Sequence, residues 1–198
     1  MGYLIAGIDP GSTNMGLAFM EVDIETLEIY SIEAVTLTAN SIYAASYMHH
    51  VDRQGDLTAN DRIKLLLEMV IMKLHHYQPN SLSLEQPFHN RLRPAAYGPL
   101  LSQVNTIKRQ LRQVFPWMYV TAYPPLSIKK AVGATSSAVF KKRHPKVPAA
   151  KGKELVKAAV LEIKEIRDNC KVDINTLGPD AIDAIAICYT RLVEMRDV

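Results

Sequence analysis

Four acidic residues stand where an acid is costly unless something binds it. Asp9 closes the apolar run "YLIAGI" (3–8) just as the turn signal Pro10-Gly11 begins. Glu85 closes a second short run, "SLSLE" (81–85). Asp180 and Asp183 lie i, i+3 in "GPDAIDAIAICY", so on a helix they share one face. Singly, each has an ordinary reading: Asp-Pro-Gly is a common turn, and acids suit a helix start. Together they say more. Four carboxylates brought into one place repel one another unless cations neutralise them. Hard, oxygen-seeking Mg2+ suits such a set, and no His or Cys set competes with it. Two such ions about 4 Å apart activate water and stabilise a leaving oxygen in phosphodiester cleavage.

The elements that must position these acids can be read from periodicity. Residues 3–8 read as a buried strand, and Gly16-Leu17-Ala18-Phe19-Met20 as a second strand returning beside it. "LEIYSIEAVTL" (27–37) reads as a third strand, whereas residues 38–59 carry a mixed pattern. With Asn60 as its cap, a helix follows whose stripe is Ile63, Leu66, Leu67, Val70, Ile71 and Leu74. After the strand ending in Glu85, a helix near 95–115 places Leu100, Val104, Ile107, Leu111 and Val114 on one stripe. Lys108, Arg109 and Arg112 lie off it. "MYVTAY" (118–123) is a fifth strand, followed by a short helix near 126–132. "GATSSAVFKKRHPKVPAAKGK" (133–153) reads as an exposed, mobile loop, and a helix over 151–166 follows it. The last helix starts at Pro179, a favoured first-turn residue.

Short turns join the first three strands, which should be antiparallel; helices join the later ones, which should be parallel. The expected fold class is α/β: a five-stranded mixed sheet, three antiparallel strands then two parallel, with helices on both faces.

A chain of 198 residues, 48% hydrophobic and 22% charged, has ordinary globular composition and suits one domain. Cys170 and Cys188 have neither metal-ligand spacing nor the density of a disulfide scaffold, and Cys188 reads as a core residue. No signal peptide or membrane-length run is visible. The expected setting is therefore cytoplasmic or another intracellular reducing compartment, with no membrane partner. Net charge is +3 but unevenly spread. From Lys129 to Lys157 there are nine Lys or Arg against Glu154 alone, +8, which leaves the rest of the chain at −5. Such segregation favours a polyanionic partner.

Three stretches then carry a resemblance. "GIDPG" (7–11), "LEQPF" (84–88) and "PDAIDAIAI" (179–187), in this order, resemble the motifs of RuvC-type Holliday junction resolvases of the RNase H-like superfamily. The resemblance implies an RNase H-like fold, with residues 1–198 as one nuclease domain. It implies Asp9, Glu85, Asp180 and Asp183 as catalytic acids holding two Mg2+ per active site, with Mn2+ able to substitute. Phe88 falls where the family places an aromatic that wedges into the junction, and an apolar wedge can unstack a base step. Arg91 and Arg93, just beyond, join the expected DNA-binding set. "Ile128-Lys129-Lys130-Ala131-Val132-Gly133" and "Lys153-Glu154-Leu155-Val156" resemble two further family stretches, so Lys129 or Lys130, with Lys153, would face phosphates near the metals. The chain departs from the family in a basic loop insertion at about 133–152, carrying Lys141, Lys142, Arg143, Lys146 and Lys151. That insertion suggests strong backbone binding.

Implied partners are branched DNA, chiefly four-way junctions, and a second copy of the chain in a homodimer; the sequence names no helicase partner. The α-helical stripe near 95–115 offers either a subunit contact or an intramolecular core contact. The serious alternative is an RNase H-like nuclease acting on flaps or RNA–DNA hybrids. "GIDPGSTN" also resembles the first phosphate loop of actin/Hsp70-like ATP-binding proteins, but a second Gly-rich phosphate loop is missing. A non-catalytic nucleic-acid binder is disfavoured, since the acids without a metal would repel phosphate.

Overall fold

The computed structural model describes residues 2–41, 58–87, 94–145 and 152–198. Strand β1 (Gly2–Asp9) is buried through its apolar centre because both faces of the sheet are covered. It pairs antiparallel with β2 (Asn14–Asp23), which sets Asp9 opposite Gly16. β3 (Ile29–Thr38) pairs antiparallel with β2. On its other side β1 takes β4 (Ser81–Glu85) in parallel, and β5 (Tyr119–Tyr123) joins β4 in parallel. The order β3-β2-β1-β4-β5 is the mixed sheet that the connection lengths predict.

Pleating decides which face each side chain meets. Ala6, Ile8, Leu82 and Leu84 point to one side, where α1 (Ala59–Tyr77) and α2 (Pro94–Val114) cover them with Leu66, Leu67, Val70, Val104, Ile107 and Leu111. Ile5 points to the other side, into the core formed with α3 (Pro125–Ala131), α5 (Lys153–Glu162), α6 (Lys164–Asn169) and α7 (Pro179–Arg196). By the same alternation, Asp9 and Glu85 belong to the α7 side. α4 (Ser137–Arg143) anchors to that core through buried Phe140.

The backbone of α7 lies directly on β1 and β2, and glycine makes this possible. A Cβ on Gly7 would stand 2.4 Å from the Ala184 carbonyl oxygen, and one on Gly16 only 1.9 Å from that of Asp180. No side chain fits there.

Three local expectations change, and one open alternative is resolved. The cap of α1 is Thr58, not Asn60: its hydroxyl accepts from the Asp61 N–H while the Asp61 carboxylate accepts from the Thr58 N–H. The helix expected over 151–166 breaks at Ile163, whose extended backbone redirects α6 so that Ile166 is buried and Cys170 bridges Ile32 of β3. The stretch read as a loop over 133–153 contains α4, because Phe140 finds a place in the core and His144 stacks on it. The α2 stripe serves the intramolecular core, with Val104, Ile107 and Leu111 all buried.

Candidate metal centre

The pleat and the parallel register bring Asp9 and Glu85 side by side. Ile8 is level with Leu84, so the next residue of each strand is an acid on the α7 side. α7 then crosses this strand end with its first turn. Pro179 starts it, Asp180 and Asp183 follow one turn apart, and both carboxylates fall on the face toward the strands. Ligand oxygens of Asp9, Asp180 and Asp183 all lie within 4.8 Å of one another. Glu85 joins them: it shares a hydrogen bond with Asp9 and feels the charge of Asp183. The structure thus brings together all four acids singled out in the sequence.

Electrostatically the cluster is overfilled with negative charge. Burial first, and Asp183 second, push the Asp9 carboxyl up to about 8. Glu85 is also raised, by burial and then by Asp183, and burial raises Asp183 itself. A group that holds its proton this far above the ordinary carboxylate range marks a place where cationic charge is wanted.

One cation is already there. The Lys153 ammonium donates to Asp180 Oδ1 at 2.9 Å, lies 3.0 Å from Asp183 Oδ2 and 3.6 Å from Asp9 Oδ2. Burial opposes the charge on Lys153, but the hydrogen bonds to Asp180 and Asp183 outweigh it and hold the lysine above its usual range. Lys153 opens α5 directly after Gly152, whose φ of 58° is a left-handed value. One ammonium cannot balance four carboxyls. The remaining deficit, and a donor set made only of carboxylate oxygens, fit hard divalent cations.

A cleft of about 250 Å³ opens beside Glu85 and Asp183, lined also by Lys129, Lys153, Ile128 and Val156. Lys129 is close enough to lower both Glu85 and Asp183. Lys130, next to it, is exposed. Lys141, Lys142 and Arg143 form the exposed last turn of α4, with Lys141 donating to the Pro145 carbonyl. Phe88, Arg91, Arg93, Lys146 and Lys151 lie outside the described residues. What the sequence reading missed is the direct grip of Lys153 on the acids. The available signal was its place at a helix start directly after Gly152, but sequence spacing does not say which acids a helix start will meet.

Three antiparallel strands followed by two parallel ones, with helices on both faces, make this the RNase H-like fold. No protein-family model and no curated protein sequence matches the chain. Among solved structures it is similar to Thermus thermophilus RuvC in complex with Holliday junction substrate, at 17% identity and a TM-score of 0.63, covering 98% of this chain and 96% of that one. A second Thermus thermophilus RuvC structure gives 22% identity and a TM-score of 0.57 over the same shares. The yeast mitochondrial Holliday junction resolvase Ydc2 gives 11% identity and a TM-score of 0.53, covering 98% of this chain and 82% of that one. Among the described residues, no helix is long and apolar enough to cross a membrane.

Proposed function

We propose that this protein is a structure-selective DNA endonuclease that resolves four-way junctions by divalent-metal-dependent phosphodiester hydrolysis, acting as a homodimer that makes paired nicks. The observation that carries the reading is the meeting of Asp9, Asp180 and Asp183 within 4.8 Å, with Glu85 close enough to feel the charge of Asp183, from three distant parts of the chain. Asp9, Glu85, Asp180 and Asp183 would hold two Mg2+ ions, or Mn2+ in their place. When bound, such ions supply an activated water and stabilisation of the leaving oxygen.

The chain's own groups do the rest. Asp9, at a strand end between Glu85 and the α7 pair, is the acid best placed to be shared. It must give up the proton it holds in the free site. Lys153, once its carboxylate partners are otherwise neutralised, is free to orient a phosphate oxygen, with Lys129 beside it in the cleft. Lys142 and Arg143 on α4 offer backbone contacts that carry no sequence information.

Junction preference is supported by the fold shared with resolvases, while the acids speak only to hydrolysis. The test compares a four-way junction, a flap, a linear duplex and an RNA–DNA hybrid in Mg2+. Preferential, symmetric nicking of the junction is expected. Preference for the flap or the hybrid would make this a nuclease of the same fold with another substrate; equal cutting of all four would remove the junction reading.

A further inference from the structure

A second charged feature lies away from the acids. α2 leaves the acid end of β4 and runs to the start of β5, at the opposite end of the sheet. Its 21 residues, "PAAYGPLLSQVNTIKRQLRQV", contain three cations and no acid. All three cations, Lys108, Arg109 and Arg112, line one groove of about 470 Å³ together with Asn105 and Gln113. None of the three makes an ion pair among the described residues, although elsewhere Lys171, Arg191 and Arg196 each hold a carboxylate. Burial, and after it the neighbouring Arg112, depress Lys108. Asn105, Arg109, Arg112 and Gln113 are exposed, while the apolar stripe of the same helix is committed to the core.

We propose that this groove is a second nucleic-acid contact, binding the phosphodiester backbone of a duplex arm remote from the scissile phosphate. The inference rests on the nuclease reading above and adds to it a site that the acids do not use. Charge complementarity chooses the occupant. Three cations within two helical turns match consecutive backbone phosphates, and two flanking amides add neutral donors. Among the described residues, no aromatic or apolar side chain lines the groove to hold a base or an apolar partner segment. Lys108 lies 14 residues into α2, about 21 Å along its axis. At 3.4 Å per base pair, an arm lying along α2 from its first turn would pass about six base pairs before meeting Lys108.

The test uses the full chain and a triple variant, Lys108→Gln, Arg109→Gln and Arg112→Gln, with four-way junctions bearing long arms. Each lost phosphate contact should lower the slope of log K against log salt by about 0.9, so the triple variant should lose between two and three units of slope. Hydroxyl-radical protection on the arm, six or more base pairs from the branch, should disappear, while protection at the branch stays. The cleavage rate at saturating junction should be unchanged, with KM raised. An unchanged slope together with retained arm protection overturns the proposal. So does a change of oligomeric state in sedimentation with DNA affinity intact, which would assign the groove to a protein contact. If the wild-type protein neither binds nor cuts junctions, the nuclease reading fails with it; if it does both and only the slope is unmoved, this inference fails alone.

Discussion

The Lys153 ammonium lies 3.0 Å from Asp183 Oδ2, among the carboxylates that would hold a metal ion under the proposed reading. Under that reading the lysine and a divalent cation would compete for the same oxygens. Lys153 is about half exposed, and pairs of that kind are each worth only about 0.2–1 kcal/mol after solvent screening. Replacing it with methionine should tighten Mn2+ binding to the free protein by about fivefold while slowing cleavage. Titration calorimetry of the variant decides the point, and equal or weaker binding would remove the competition.

Asp9 makes stability depend on pH in the metal-free protein. Its folded-state pKa, about 8, lies above the ordinary carboxylate value of 3.8. Between those two values the folded chain holds a proton that the unfolded chain has lost, so stability falls as pH rises through that window. The contribution is complete below the lower value and gone above the upper one. Thermal melts in EDTA should show a lower Tm at pH 8 than at pH 6. Asp9→Asn should flatten that difference and raise the Tm at pH 8.

The same substitution should abolish chemistry without abolishing binding. Asp9→Asn and Glu85→Gln each keep the shape of the site but remove a charged oxygen from the cluster. Cleavage should fall by at least about a hundredfold, the scale on which preorganised electrostatic groups act. Junction affinity should stay within a fewfold of wild type. Near-normal cutting by either variant would place the hydrolytic centre elsewhere.

Gly16 predicts a coupling between fold and site. A methyl group there would meet the Asp180 carbonyl oxygen at 1.9 Å, so Gly16→Ala must push away the helix turn that carries both α7 acids. Overpacking of this kind costs about 1–3 kcal/mol. Denaturant unfolding should show that loss, and Mn2+ affinity should drop in the same variant. A destabilised protein with normal metal affinity would mean that α7 moves as a whole without disturbing the acids.

The basic stretch after Gly133 cannot be tested by deletion, because removing α4 would also remove Phe140 from the core. Lys142→Gln with Arg143→Gln is the cleaner change, since both side chains are exposed. Salt dependence of DNA binding should weaken by about two units of slope, with the Tm unchanged. An unmoved slope would assign these charges to solvent.

Much of this architecture was written in local pattern. The two acids at strand ends, the i, i+3 pair behind Pro179 and the apolar stripes of α1 and α2 are all short-range signals, and short-range signals survive in a single sequence. The strand directions followed from connection lengths. What was not legible depends on contacts between distant residues. Phe140 looked like part of a loop because nothing nearby says that it will reach the core, and Lys153 read as a phosphate contact near the metals rather than a partner of the acids because those acids lie near residues 9 and 180. Ile163 breaks a continuous helical pattern only because β3 claims the segment that follows.

The scattering of the acids along the chain has a consequence during synthesis. All five strands are complete by Tyr123, yet by then the chain has supplied only Asp9 and Glu85. The remaining two arrive with the final helix. A ribosome-bound or prematurely terminated chain ending before Pro179 has all five strand segments but lacks the helix that covers one face of the sheet and, with it, two of the four acids. Under the proposed reading, a half-made enzyme carries no blade, and the nucleic acid around it is spared until the last element docks.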